Sequence, residues 1–440
     1  MASATLVKLR INNAEQFKES VSEPSPNTNL YLVYGRTIPW ANDATPPTPN
    51  TSVATEYEIW RSMIGGKRIT GNEMRHVIPR YNWAPDTKYI AYDHLDSGLY
   101  GDNVRFYIVT QDFNVYKCLS NNYSSNSTVE PTSVVTSSFT QTSDGYVWKY
   151  IYTLSDEEKL NFTSGDYIPV RTVGSDDGST QWTVQLNAQE GAIDTILVTD
   201  GGTGYTNTSN ISITITGDGS GATATAGINT VSKVVSNVTM VSYGTGYTYA
   251  TVSITGGGGT GATARAIIPP PGGHGSNPLY ELGGFRVMID AKLRGSESGT
   301  IPASNDFRQI GIIKDPYLLD TTSVATNTTF FQGQTITTAG SGDFTVDEYV
   351  YQGPSLTSST YSARVLQWDS SNNQVKVVDI SGTPLAGTLT GATSATARYV
   401  TSVDDIDFHP NSGQLLYIDN VKPIIRAEDQ TESFRIVLKF

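Results

Sequence analysis

Apolar and polar residues along this chain alternate in short runs far more often than they recur at helical spacing. From Tyr89 to Tyr152 the pattern is strand-like, as in Val104-Arg105-Phe106-Tyr107-Ile108-Val109 and Asn114-Val115-Tyr116-Lys117-Cys118-Leu119, with polar turn residues between the runs. Period-two alternation over four to eight residues places side chains on opposite faces of a sheet, so this stretch predicts an antiparallel meander. Helical spacing occurs early and rarely. Ile59, Trp60, Met63 and Ile64 form an apolar stripe in a predicted helix over Val53 to Ile64, a core face and not a binding face. A second helix is predicted from Asn12 or Asn13 as the cap, through Glu15, Phe17 and Val21, with Pro24 and Pro26 stopping it.

Between Gly174 and Thr180 apolar character vanishes, which marks a boundary. An internal repeat follows. Gly202-Thr203-Gly204-Tyr205-Thr206 recurs as Gly244-Thr245-Gly246-Tyr247-Thr248, and Gly221-Ala222-Thr223-Ala224 recurs as Gly261-Ala262-Thr263-Ala264. The copies lie about 40 residues apart, the sign of a duplicated β-unit whose two copies bury their apolar faces on each other. Pro269-Pro270-Pro271-Gly272-Gly273-His274-Gly275 fits neither helix nor central strand and closes this module as a rigid connector. A second module over Ser323 to Ser402 carries runs at Glu348–Tyr351, Ala363–Trp368 and Gln374–Ile380, expected to form a small barrel or sandwich. Leu415–Ile418 and Phe434–Phe440 then return to a globular pattern.

The predicted fold class is therefore mainly β, an α+β core with few helices, multi-domain, with antiparallel sheets and two inserted all-β modules. The core is expected in three pieces, 1–173, 269–322 and 403–440, with insertions at 181–268 and 323–402.

Composition sharpens this picture. Only 16% of residues are charged, and 41 glycines and 25 tyrosines accompany long Ser/Thr stretches, a chemistry of pleated strands and tight turns. The 29 Lys and Arg against 42 Asp and Glu give a net charge of -13 with no basic run, which argues against nucleic acid as a partner. No window approaches 18 uninterrupted apolar residues, so membrane insertion by a helix is not expected, and Met1 to Arg10 does not read as the start of a signal peptide. Cys118 stands alone and reads as a small buried apolar residue.

Candidate chemistry is sparse. Four histidines, His76, His94, His274 and His409, show neither the spacing nor the cysteine company of a zinc site. Asp93-His94-Leu95-Asp96 and Asp404-Asp405-Ile406-Asp407-Phe408-His409 match no metal or catalytic template and read as solvated loops. Gly256–Gly261 lacks the Lys-Ser/Thr of a phosphate cradle and reads as a turn. No catalytic, metal or cofactor residue is assigned, no cofactor is expected, and the protein is read as not an enzyme. Paired carboxylates meeting across strands leave no linear mark, so a glycan-degrading enzyme stays as an alternative. Tyr205, Tyr243, Tyr247 and Tyr249 are the candidate interface, able to dock a subunit or stack on a sugar, or to serve as structural corners.

Four segments resemble a known family. Tyr31-Leu32-Val33-Tyr34-Gly35-Arg36-Thr37-Ile38-Pro39-Trp40 is similar to a strand followed by Phe-Gly-Arg-x-x-Pro-Trp. Val77–Trp83 comes next, then Asp144–Tyr150, with Phe307-Arg308-Gln309-Ile310 in the later core, and finally Ser412-Gly413-Gln414 through Tyr417–Asn420 and Pro423–Ile425 to Asp429–Glu432. Together they resemble the baseplate wedge family called gene product eight in T-even, contractile-tailed phages. The resemblance covers about half the chain and leaves out both modules. It implies a virion protein of the tail baseplate, made in the host cytoplasm: a homodimer bound to other wedge proteins of a sixfold baseplate, acting in tail assembly and rearranging on contraction, with no catalysis. The modules, which it does not cover, are candidates to reach tail-fibre components, and an adhesin or glycan-binding role through them is the alternative function.

Overall fold

A computed structural model describes residues 6–24 and 28–440. It is 43% strand and 13% helix, as the alternating pattern predicts, and its strand pairs run antiparallel in several sheets. The chain forms two compact units, one of residues 1–15, 75–288 and 437–440, the other of 16–74 and 289–436.

In the first unit, Tyr107–Val109, Asn114–Asn121, Tyr146–Thr153 and Thr140–Gln141 form the expected meander. Both faces of its central strands are covered, by one cluster holding Val115, Leu119 and Ile151 and by another holding Tyr116, Cys118, Trp148 and Tyr150. Cys118 is fully buried there, and burial pushes its thiol far above the usual range, so it behaves as the inert core residue expected. The first helix runs Val7–Ser22, which corrects its predicted start: Asn12 and Asn13 lie inside it, because Ile11 and Ala14 bury together and carry the helix nearly two turns earlier. Pro26, one of its two predicted stops, lies outside the described residues.

The repeat module occupies six strands. The first copy supplies Thr195–Thr203, Ile211–Gly217 and Ser220–Asn229; the second supplies Val234–Thr245, Ala250–Gly256 and Thr260–Ile267. Three ladders join them, and each pairs one copy with the other: Thr195–Thr203 with Thr260–Ile267, Ser220–Asn229 with Val234–Thr245, and Ile211–Gly217 with Ala250–Gly256. Exchanging the copies leaves this list unchanged. The copies are therefore intertwined rather than stacked as separate units, and their apolar faces close on one cluster including Ile215, Val238, Met240 and Val252. One short within-copy ladder adds Thr251↔Arg265 and Val252↔Ala264.

The second unit contains a five-stranded sheet in the order Thr329–Phe331, Met63–Ile69, Leu30–Gly35, Asp306–Lys314, Gln414–Ile425. The helix Val53–Ser62, capped by Ser52, lays Ile59 and Trp60 on this sheet's core, while Met63 and Ile64 already belong to the next strand. Tyr31 meets Phe330 and Phe408 edge-on at 5.7 and 5.1 Å. Six strands between Gln334 and Asp404 close into a barrel around Ile336, Val350, Val365, Val377 and Leu389, the barrel alternative of the sequence reading. The segments resembling the wedge family at Tyr31, Phe307 and Leu415 pair as neighbours in one sheet, through Tyr31↔Ile313 and Ile313↔Leu415.

Candidate functional site

The four candidate tyrosines divide into two pairs. Tyr205 and Tyr247 are 1% and 4% exposed, so neither offers a ring to a partner. Each belongs to the Gly-Thr-Gly-Tyr turn of one copy and lies against glycines of the facing turn: Tyr205 against Gly257 and Gly259, Tyr247 against Gly217 and Gly219. A Cβ on Gly259 or Gly219 would overlap the ring, which is why the repeat spaces tyrosine and glycine as it does. Their burial within the chain fits the structural-corner alternative of the sequence reading. Tyr243 and Tyr249 remain exposed, at 37% and 61%; Tyr243 meets Phe139 edge-on at 5.4 Å.

The loops singled out for acidic and histidine content are also occupied. Asp93 forms a two-pronged ion pair with Arg265, His94 Nδ1 accepts from the Ile268 amide at 3.2 Å, and Asp96 accepts from Gly98 at 2.8 Å. Asp407 accepts from the Phe331 amide at 2.8 Å and Asp405 from Gln334 at 3.0 Å, so both hold a turn in place. No group of three or more potential metal ligands comes together among the described residues.

What sequence reasoning missed is a buried charge cluster under the repeat module. The meander ladder sets Lys117 opposite Lys149, which lifts two ammonium groups from the same face. Lys117 Nζ, fully buried, donates to Glu281 Oε2 at 2.9 Å, lies 3.0 Å from His274 Nδ1, and sits 4.0 Å from the centre of the Tyr92 ring. Since an ammonium only donates, Nδ1 accepts and the His274 proton sits on Nε2, 3.5 Å from Asp194 Oδ2. Glu281 Oε1 accepts from the amides of Gly275 and Asn277, at 2.7 and 3.2 Å. Lys149 donates to the Thr136 carbonyl at 2.9 Å.

Burial governs the charge states. It lowers Lys117 and Lys149, and with Lys117 nearby it pushes His274 down to about 4. Burial raises Asp194 to about 7 despite both lysines; on Glu281 the same effect is outweighed by Lys117 and His274, which hold it at about 2. Asp194 immediately precedes the module's first strand, and His274 lies in the connector after its last. The cluster therefore clamps both ends of the insertion onto the meander sheet.

Between that sheet and the module lies a cleft of about 890 Å³. Ile90, Tyr123, Leu197 and Tyr243 line it with their side chains 37 to 54% exposed, and Phe139, Asn121 and Gln141 share the walls.

These features define a β-built protein that carries an intertwined duplicate on a charge-clamped sheet and a closed barrel on a second, aromatic-cored one. Compared with known proteins, residues 3–104 match the family described as Bacteriophage T4, Gp8. A stretch of 197 residues is 23% identical to the baseplate wedge protein gp8 of Enterobacteria phage T4, covering 37% of this chain and 59% of that protein. The chain thus spans less than two thirds of the relative it matches. The resemblance carried by Tyr31–Trp40 and Val77–Trp83 falls inside the family match, so the recognition of a baseplate wedge relative stands.

Proposed function

We propose that this protein is a structural subunit of a phage tail baseplate wedge, linking neighbouring wedge proteins during assembly and contraction. The observation that carries this reading is the family match over residues 3–104. The second unit supports it: Gln414–Ile425 is the outermost strand of its five-stranded sheet and leaves Leu416 and Ile425 43 and 75% exposed. A long edge of this kind adds a strand from a partner or is covered in the assembly. In this reading the partners are a second copy of the chain and other wedge proteins. The role needs no catalysis and no cofactor. In this reading residues 181–268 and 323–402 are insertions into the wedge scaffold, and tail-fibre components are their candidate partners.

Quantitative mass spectrometry of purified tails, with cryo-electron microscopy of the baseplate, tests the reading. A copy number that is a multiple of six, with density in the wedge ring, is expected; absence from the ring refutes it.

A further inference from the structure

We propose that the cleft between the meander sheet and the repeat module binds a neutral oligosaccharide, with the Tyr243 ring, braced edge-on by Phe139, as its stacking surface. This goes beyond the structural role and does not depend on it.

Two β-surfaces of one unit face each other there across about 890 Å³, within the size range of small-ligand clefts, instead of closing on one another. The walls mix two chemistries. Tyr243, Phe139, Leu197 and Ile90 present apolar surface, while Gln141, Ser120 and the Tyr123 hydroxyl present polar groups; the amides of Asn121 and Asn237 are spent on bonds within the chain. A sugar ring matches both, since its C–H face packs on an aromatic ring and its hydroxyls exchange hydrogen bonds with polar side chains. An amphipathic helical peptide needs a continuous apolar strip, which the polar side chains interrupt. A polyanion is disfavoured by the net charge of -13 on the whole chain; of the acidic residues in the lining, Asp93 is already paired with Arg265 and burial raises Asp194 to about 7. The clamp beneath the module, Lys117 to Glu281 with His274 and Asp194, ties the module to the sheet that forms the other wall.

The test titrates the full chain with maltoheptaose, chitohexaose and a dextran oligosaccharide by isothermal calorimetry and saturation-transfer NMR. At least one sugar is expected to bind, with affinity weakened about tenfold by Tyr243→Ala and by Phe139→Ala. Tyr249→Ala, whose exposed ring lies outside the cleft, is expected to bind as the parent does. Thermal unfolding of each variant separates loss of binding from loss of fold. Binding of none of the three sugars overturns the proposal, as does binding that Tyr249→Ala abolishes and Tyr243→Ala leaves intact. Displacement of a bound sugar by DNA or by an unrelated helical peptide at similar concentration overturns its ligand class.

Discussion

The ring of Tyr247 fills the space where a side chain on Gly219 would stand, and Tyr205 does the same over Gly259, each tyrosine closing on the opposite copy of the repeat. Gly219→Ala and Gly259→Ala are therefore expected to displace a buried ring and to destabilise the protein by about 1–3 kcal/mol. Gly258→Ala meets nothing closer than a 3.4 Å contact and adds only left-handed backbone strain, about 1–2 kcal/mol. Urea unfolding of the three variants ranks them. Equal losses for Gly165→Ala, where a Cβ meets open space, would mean that the ring contact is not what matters.

Lys117→Met removes the cation that Glu281 and His274 both face, leaving a buried carboxylate without its partner. A loss of about 3–5 kcal/mol is expected. The double variant Lys117→Met/Glu281→Gln is expected to lose less than the two single changes added together, because the desolvated charge goes with its partner. A double-mutant cycle by chemical denaturation reads the difference.

Asp194 gives a pH dependence of definite sign. Its folded pKa, about 7, lies above that of an unfolded aspartate, so the folded state holds the proton more tightly. The stability this confers is complete below the ordinary aspartate range and is lost as pH rises toward 7. His274 acts oppositely, its contribution falling as pH drops from the ordinary histidine range toward about 4. Made in a His274→Gln background, where no histidine titrates beside it, Asp194→Asn is expected to gain relative stability from pH 4 to 7 and then to level off. A difference that stays flat across that range contradicts the assignment.

Arg426 is fully buried in the second unit, where Nε donates to Glu432 at 2.9 Å, Nη2 to the Gly295 carbonyl at 2.6 Å, and Nη1 lies 3.3 Å from the Tyr34 hydroxyl. Arg426→Met is expected to cost about 3–5 kcal/mol and to lower the soluble yield, whereas Glu428→Ala nearby is expected to leave both unchanged. Differential scanning fluorimetry of the two variants decides.

Much of the fold was legible where local chemistry dictates it. The meander followed from alternation, a small barrel or sandwich from evenly spaced turns, and the duplicate from its recurring Gly-Thr-Gly-Tyr. What could not be read was who pairs with whom. The intertwining of Ile211–Gly217 with Ala250–Gly256 is a matter of long-range register, and a repeat found by self-comparison says nothing of whether its copies stack or exchange strands. The charge cluster was missed for a related reason. Lysine in an alternating run reads as a solvent-facing position, yet Lys117 between Tyr116 and Cys118, and Lys149 between Trp148 and Tyr150, interrupt runs that are apolar on both sides. That flanking was the available signal, because a central strand covered on both faces has no solvent side. Tyr205 and Tyr247 were grouped with Tyr243 and Tyr249 because a tyrosine's two uses, anchor and platform, share one composition.

The intertwined pairing also constrains how this chain changes over generations. A module whose halves were merely adjacent could shed or gain a copy, as solenoids do. Here deletion of either copy strips the other of its three inter-copy ladders. The segment is therefore expected to be exchanged only as a whole cassette, with boundaries outside Asp194 and His274, so that both halves of the clamp travel with it.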